Sequence, residues 1–152
     1  MAITSAICSS FKQELLQGKH SLDTSGNGGD TFKIALYDSD ASLGASTTDY
    51  STSEEISNTS GSAYTAGGAT LTNTGVGLTS TTAFTDFSDV SFTSASFTAN
   101  GALIYNTTTA GGSNTTDAVC VIAFGSNKTA TNGTFEIQFP ANDSSNAIIR
   151  LA

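Results

Sequence analysis

The chain has 152 residues and carries 5 Lys and Arg against 13 Asp and Glu, a formal net charge of -8. That length fits one domain, and the acidic balance excludes a nucleic-acid surface, which needs clustered cations to neutralise phosphate. Only 12% of residues are charged, 38% are hydrophobic and roughly a third are Ser or Thr, a composition too apolar and too periodic for a disordered chain.

At the N-terminus, Ile3, Ile7, Phe11 and Leu15 recur at every fourth position, and Ala6, Cys8 and Leu16 widen the stripe. Thr4 or Ser5 offers a start cap and Gly18 a stop, so the spacing predicts an amphipathic helix over residues 4–17. Its apolar face needs a partner, either the chain's own sheet or a neighbouring subunit. Residues 1–20 are therefore expected to form a docking or oligomerisation element, and residues 21–152 a single β domain. The opening stretch lacks the basic and long apolar regions of a secretion signal. No apolar run approaches the ~18–20 residues that span a bilayer, so no membrane partner is expected.

"TFKIALY" places Phe32, Ile34 and Leu36 at period two, a strand. Residues 38–60 form a polar excursion with Tyr50 and Ile56 as anchors, and "GSAYTAGG" a glycine-punctuated loop. Further strands are expected at 69–74, 81–87, 90–92, 97–106, 119–124, 134–139 and 148–151, separated by turns that include "NTGVG", "DFSD" and "GSNKTATNG". "GALIY" and "VCVIAF" are almost wholly apolar and suit central strands covered on both faces. Seven or eight short strands with Gly, Ser and Asn turns predict an antiparallel β-sandwich or small barrel with a short N-terminal helix.

Motifs that carry chemistry are weak. Gly125, Lys128 and Thr129 imitate the start of a phosphate-binding loop, but only two residues separate Gly125 from Lys128, and Phe135, Ile137 and Phe139 then alternate as a strand where that loop requires a helix. This stretch is expected to be a hairpin with Lys128 in its turn. From Asp23 the sequence partly matches a calcium loop with Ser25 as a ligand, yet position twelve is Ile34 rather than a bidentate Glu. The pairs Asp23/Asp30 and Asp38/Asp40 are left open as metal ligands.

The single histidine, His20, follows the helix end and is expected to be solvated or capping. Glu54 and Glu55 are adjacent and would diverge in a strand, so they make no acid/base pair. Cys8 and Cys120 lie in apolar stretches and are expected to be reduced, buried and inert. No catalytic residue, cofactor or metal is assigned, and no enzymatic activity is expected. Six N-x-S/T sequons, at Asn58, Asn106, Asn114, Asn127, Asn132 and Asn142, are accounted for by the Ser and Thr content.

Taken in order, "MAITSAICSSFKQELLQGKH", "DTFKIALYDSDASLGASTTDYS", "GSAYTAGGATL", "FTDFSDVSF", "SASFTANGALIYN", "AVCVIAFGSNKTAT", "GTFEIQFP" and "SNAIIRLA" resemble small β-rich virion structural proteins of tailed bacteriophages. The resemblance implies a non-enzymatic head-decoration or neck/tail surface component, located in the virion after assembly in the host cytoplasm. It implies contacts with copies of itself and with other virion proteins, and carries over no site residue. A symmetric homo-oligomer, a trimer for example, would satisfy open strand edges and the helix face. The expected interface residues are Ile7, Phe11, Leu15, Tyr50 and Tyr64. The alternative is a carbohydrate-binding adhesin module of a virion appendage, in which Tyr50 and Tyr64, with Asp49 nearby, form a shallow platform for a host-surface glycan; set against both uses, the composition favours these two loop tyrosines simply packing over the sandwich rim.

Overall fold

The structure, a computed structural model, describes residues 2–24, 29–57, 61–108 and 114–152. Among them the chain is mainly β, with two antiparallel sheets and one short helix, and neither sheet closes into a barrel. The elements are β1 (Ala6–Ile7), α1 (Ser9–Leu16), β2 (Phe32–Tyr37), β3 (Ala69–Thr70), β4 (Asn73–Thr79), β5 (Thr82–Phe87), β6 (Val90–Asn106), β7 (Ala118–Ile137) and β8 (Ile149–Leu151). The larger sheet runs β1-β7-β6-β2-β3 and the smaller β4-β5-β8. No helix among the described residues is long and apolar enough to cross a membrane.

β2 has an apolar face and a mixed face, yet nearly all of it is buried. The register with β6 explains why. Ile34 pairs with Ile104 and Phe32 with Asn106, while Lys33 pairs with Tyr105 and Ala35 with Leu103. Paired residues share a face. The face bearing Phe32 meets the smaller sheet, where the Phe32 and Phe87 rings lie 5.8 Å apart. The opposite face, bearing Tyr105, is roofed by the long connection from β2 to β3. That connection is held by Ile56 N–H donating to Leu36 O at 2.9 Å, Ala118 N–H to Thr48 O at 2.9 Å, and Tyr50 N–H to Thr116 O at 2.7 Å. The sheet is therefore covered on both sides, and "GALIY" and "VCVIAF" lie in its interior strands β6 and β7, as their unbroken hydrophobicity suggested.

Three local expectations need correction. The helix starts at Ser9, not residue 4, because Ala6 and Ile7 pair with Val121 and Cys120 as β1. Ser5 consequently accepts Ala123 N–H at 2.9 Å rather than capping the helix, whose N-cap is Cys8 with no side-chain bond. Lys128 is not in a turn. It pairs with Ala99 inside β7, which runs unbroken through "GSNKTATNG" opposite an equally continuous β6 and absorbs the extra residues as bulges. "NTGVG" is strand β4 rather than a turn. Gly75 there sits at φ +99, and a Cβ at Gly77 would stand 2.4 Å from the ring of its pair partner Phe84.

Candidate interaction surface

The helix stripe divides once the helix docks. Phe11 is 1% exposed and packs in the common core with Cys8, Ile7 and Leu15 are half-buried, and Leu16 is 92% exposed. One residue is about 100° of helical turn, enough to carry Leu16 away from the sheet that holds Phe11 and Leu15. Of the expected interface trio, Phe11 is therefore interior. The stripe residue left at the surface is Leu16.

Leu16 has company. In the smaller sheet Val76 pairs with Thr85 and Thr85 with Ile149, while Leu78 pairs with Ala83 and Ala83 with Leu151. These six residues share one face. On that face Thr85 and Ile149 are buried, whereas Val76 and Leu78 on the edge strand β4 are 59% and 71% exposed and Leu151 near the end of β8 is 56% exposed. Two adjoining depressions run between this face and α1. One, of about 230 Å³, is lined by Leu22, Val76 and Phe84 among others; the other, of about 290 Å³, lies against Leu16, Lys12 and Arg150. Leu15, Ile149 and Leu151 line both, and no carboxylate lines either. Large exposed apolar side chains gathered in one place on a polar surface mark a contact site.

Tyr50 and Tyr64 lie elsewhere and inward. Tyr64 is 1% exposed and packs against Phe92 and Phe97. Its hydroxyl accepts Leu36 N–H at 2.9 Å and donates to Glu55 Oε1 at 2.7 Å. Glu55 also accepts Gly67 N–H at 2.7 Å and the Tyr50 hydroxyl at 2.7 Å. Tyr50 stacks on Tyr105 with centroids 4.4 Å apart, and Tyr105 donates to Gly67 O at 2.8 Å. Tyr37 completes the group by donating to Ser51 O at 2.6 Å. All four tyrosines of the chain thus tie the β2–β3 connection to the sheet around one carboxylate. Burial, reinforced by the Glu55 charge, pushes the Tyr37 and Tyr105 phenols up, Tyr105 to about 12. Burial also raises Tyr50 and Tyr64, with the Glu55 hydrogen bond adding to it.

His20 is buried, not solvated. Its Nε2 lies 2.9 Å from Glu14 Oε2 and its Nδ1 2.9 Å from Asn106 Nδ2. Glu14, His20 and Asp117 have donor atoms within 4.8 Å of one another, the proximity a metal requires. The hydrogen bonding opposes that use. Asn106 Oδ1 accepts Thr108 N–H at 2.8 Å, so its amide NH₂ faces Asp30 Oδ2, at 2.7 Å, and His20. Nδ1 must then be the acceptor and Nε2–H the donor to Glu14. A metal on Nε2 would put the ring proton on Nδ1, against the Asn106 NH₂. The cluster is better suited to clamping the end of α1 to β6 and to the entry of β7.

Asp30 belongs to this clamp, accepting Ser21 N–H at 2.9 Å, while residues 25–28 of the calcium-like loop from Asp23, and the sequon at Asn58, lie outside the described residues. Asp38, Asp40 and Glu54 form a second, mostly exposed acidic group, in which Asp38 Oδ1 accepts Asp40 N–H at 2.9 Å. Cys8 and Cys120 are free and buried. The stripe on α1, the Asp38/Asp40 pair and the buried thiols were visible in sequence; the Glu55 tyrosine network and the His20 clamp were not. Val76, Leu78 and Leu151 gave no signal, because alternation alone does not tell a strand face that enters the core from one that stays exposed. Comparisons with protein-family models, curated proteins and solved structures find no match to this chain.

Proposed function

We propose that the chain is a non-enzymatic structural protein of a bacteriophage particle, a head-decoration or neck/tail surface component that acts by burying surface against neighbouring proteins. The observation that carries this reading is the apolar patch of Leu16, Val76, Leu78 and Leu151 on an otherwise hydroxyl-rich, weakly charged surface. Water penalises that exposure by about 25 cal/mol per Å², so a partner that covers the patch is favoured. The tyrosine network supports a rigid scaffold role, since its hydroxyls are already used within the molecule and Tyr64 has no free face for a glycan. Immunogold electron microscopy of purified particles tests the proposal. Label over the head supports decoration, label at the neck or tail supports a connector, and unlabelled particles beside a labelled control defeat the virion reading.

A further inference from the structure

We propose that the patch around Leu16 receives a second copy of this chain about a two-fold axis, each Leu16 entering the groove beside Leu22 and Val76 of the other copy. The inference rests on reading the patch as a contact face, and names its partner.

Shape is the first support. Leu16 projects as a knob, and the groove of about 230 Å³ lies beside it, with Leu15, Ile149 and Leu151 bordering both. A surface with a knob and an apolar groove side by side is complementary to itself under a two-fold rotation, the commonest symmetry of soluble oligomers. Area is the second. The four exposed side chains present on the order of 500 Å² of apolar surface, at the upper end for a monomer's largest patch. With a rim of partly buried neighbours this approaches the roughly 800 Å² per partner of a stable interface. Charge is the third. Two copies at -8 each repel, and association is easiest where carboxylates are absent. Neither depression is lined by one; Lys12 and Arg150 line only the depression at Leu16, and the groove beside Leu22 and Val76 that receives the other copy's Leu16 has no charged lining residue.

Sedimentation velocity of the purified full chain, from low to high micromolar concentration, tests this. The wild type is expected to sediment as a dimer. Leu16→Asp is expected to raise the dissociation constant at least about tenfold, the weight of one buried leucine exchanged for a charge. Its melting temperature should match that of dissociated wild type at equal dilution, since Leu16 makes little of the fold. Thr131→Asp, on the exposed part of β7, should leave the dimer intact. A wild type that stays monomeric, one that sediments as a trimer, or a Leu16→Asp variant that dimerises normally would each overturn the proposal. A monomeric chain that still labels particles would sink this inference alone. A dimeric chain absent from particles would sink the virion reading alone.

Discussion

Tyr64 and Glu55 are joined by a 2.7 Å hydrogen bond from the buried phenol to Oε1, and the same phenol accepts the N–H of Leu36 in β2. One side chain thereby fastens the β2–β3 connection to a central strand and orients the carboxylate that gathers Tyr50 and Gly67. Tyr64→Phe keeps the ring packing but strands the Leu36 N–H and removes one donor from Glu55. Unmet buried polar groups cost about 1–3 kcal/mol, so the urea midpoint should fall accordingly. Tyr50→Phe removes a more peripheral bond and should cost about 0.5–1.5 kcal/mol. Because both act on Glu55, the double variant should depart from additivity. Equal and additive losses would show that the network is not coupled.

Gly68 lies against β2 at φ +74, and a Cβ there would stand 1.8 Å from Ile34 O. That neighbour is backbone and cannot rotate aside. Gly68→Ala should displace β3 from β2 and lower the melting temperature sharply. Gly125, also at positive φ but with open space around it, is the comparison: Gly125→Ala meets only the backbone penalty of about 1–2 kcal/mol. Equal effects on thermal unfolding would refute the packing argument.

Asp86 in β5 is fully buried, and burial pushes its carboxyl above the ordinary value of 3.8, while N–H donors from Phe87 and Ile148 pull the other way. A raised carboxyl holds its proton more tightly in the folded state. Its contribution to stability is then complete below the ordinary carboxylate range and is lost as pH rises through the raised value. Asp86→Asn does not titrate there. The melting-temperature advantage of wild type over Asp86→Asn should therefore be largest in acid and shrink toward neutrality. A gap that widens with pH would reverse the sign.

Burial pushes the Cys8 thiol up to about 11, with Glu14 adding to it and Lys12 opposing, and raises Cys120 further. Neither supplies much thiolate near neutral pH. A thiol-exchange reagent should leave the native protein unmodified on the timescale in which it titrates both cysteines in denaturant. Rapid reaction of the native chain would place one of them at the surface.

Much of the fold is legible in local pattern, because a strand's faces repeat at period two whatever lies beyond it. "TFKIALY" and "TTAFTDF" announce β2 and β5, and the unbroken runs mark the interior strands. What escapes local pattern is decided by distant partners. Ala6 and Ile7 continue the helical stripe, yet β7 takes them as a strand. "GSNKTATNG" looks like a turn until β6 is seen to be long enough to pair through it. Tyr64 sits among glycines, as surface residues do, and is buried only because Phe92 and Phe97 arrive from β6. Leu16 belongs to the same apolar stripe as Phe11. Only the docking of α1 buries one and leaves the other exposed.

The copy number of the chain in purified particles, measured by quantitative mass spectrometry for wild type and Leu16→Asp side by side, tests the proposed virion role at its source. A particle component held through Leu16 should give a fixed, multi-copy complement of wild type, and particles depleted of the variant although it accumulates folded in the same cells. Particles lacking the wild-type chain, or carrying the variant at the same number, would contradict it.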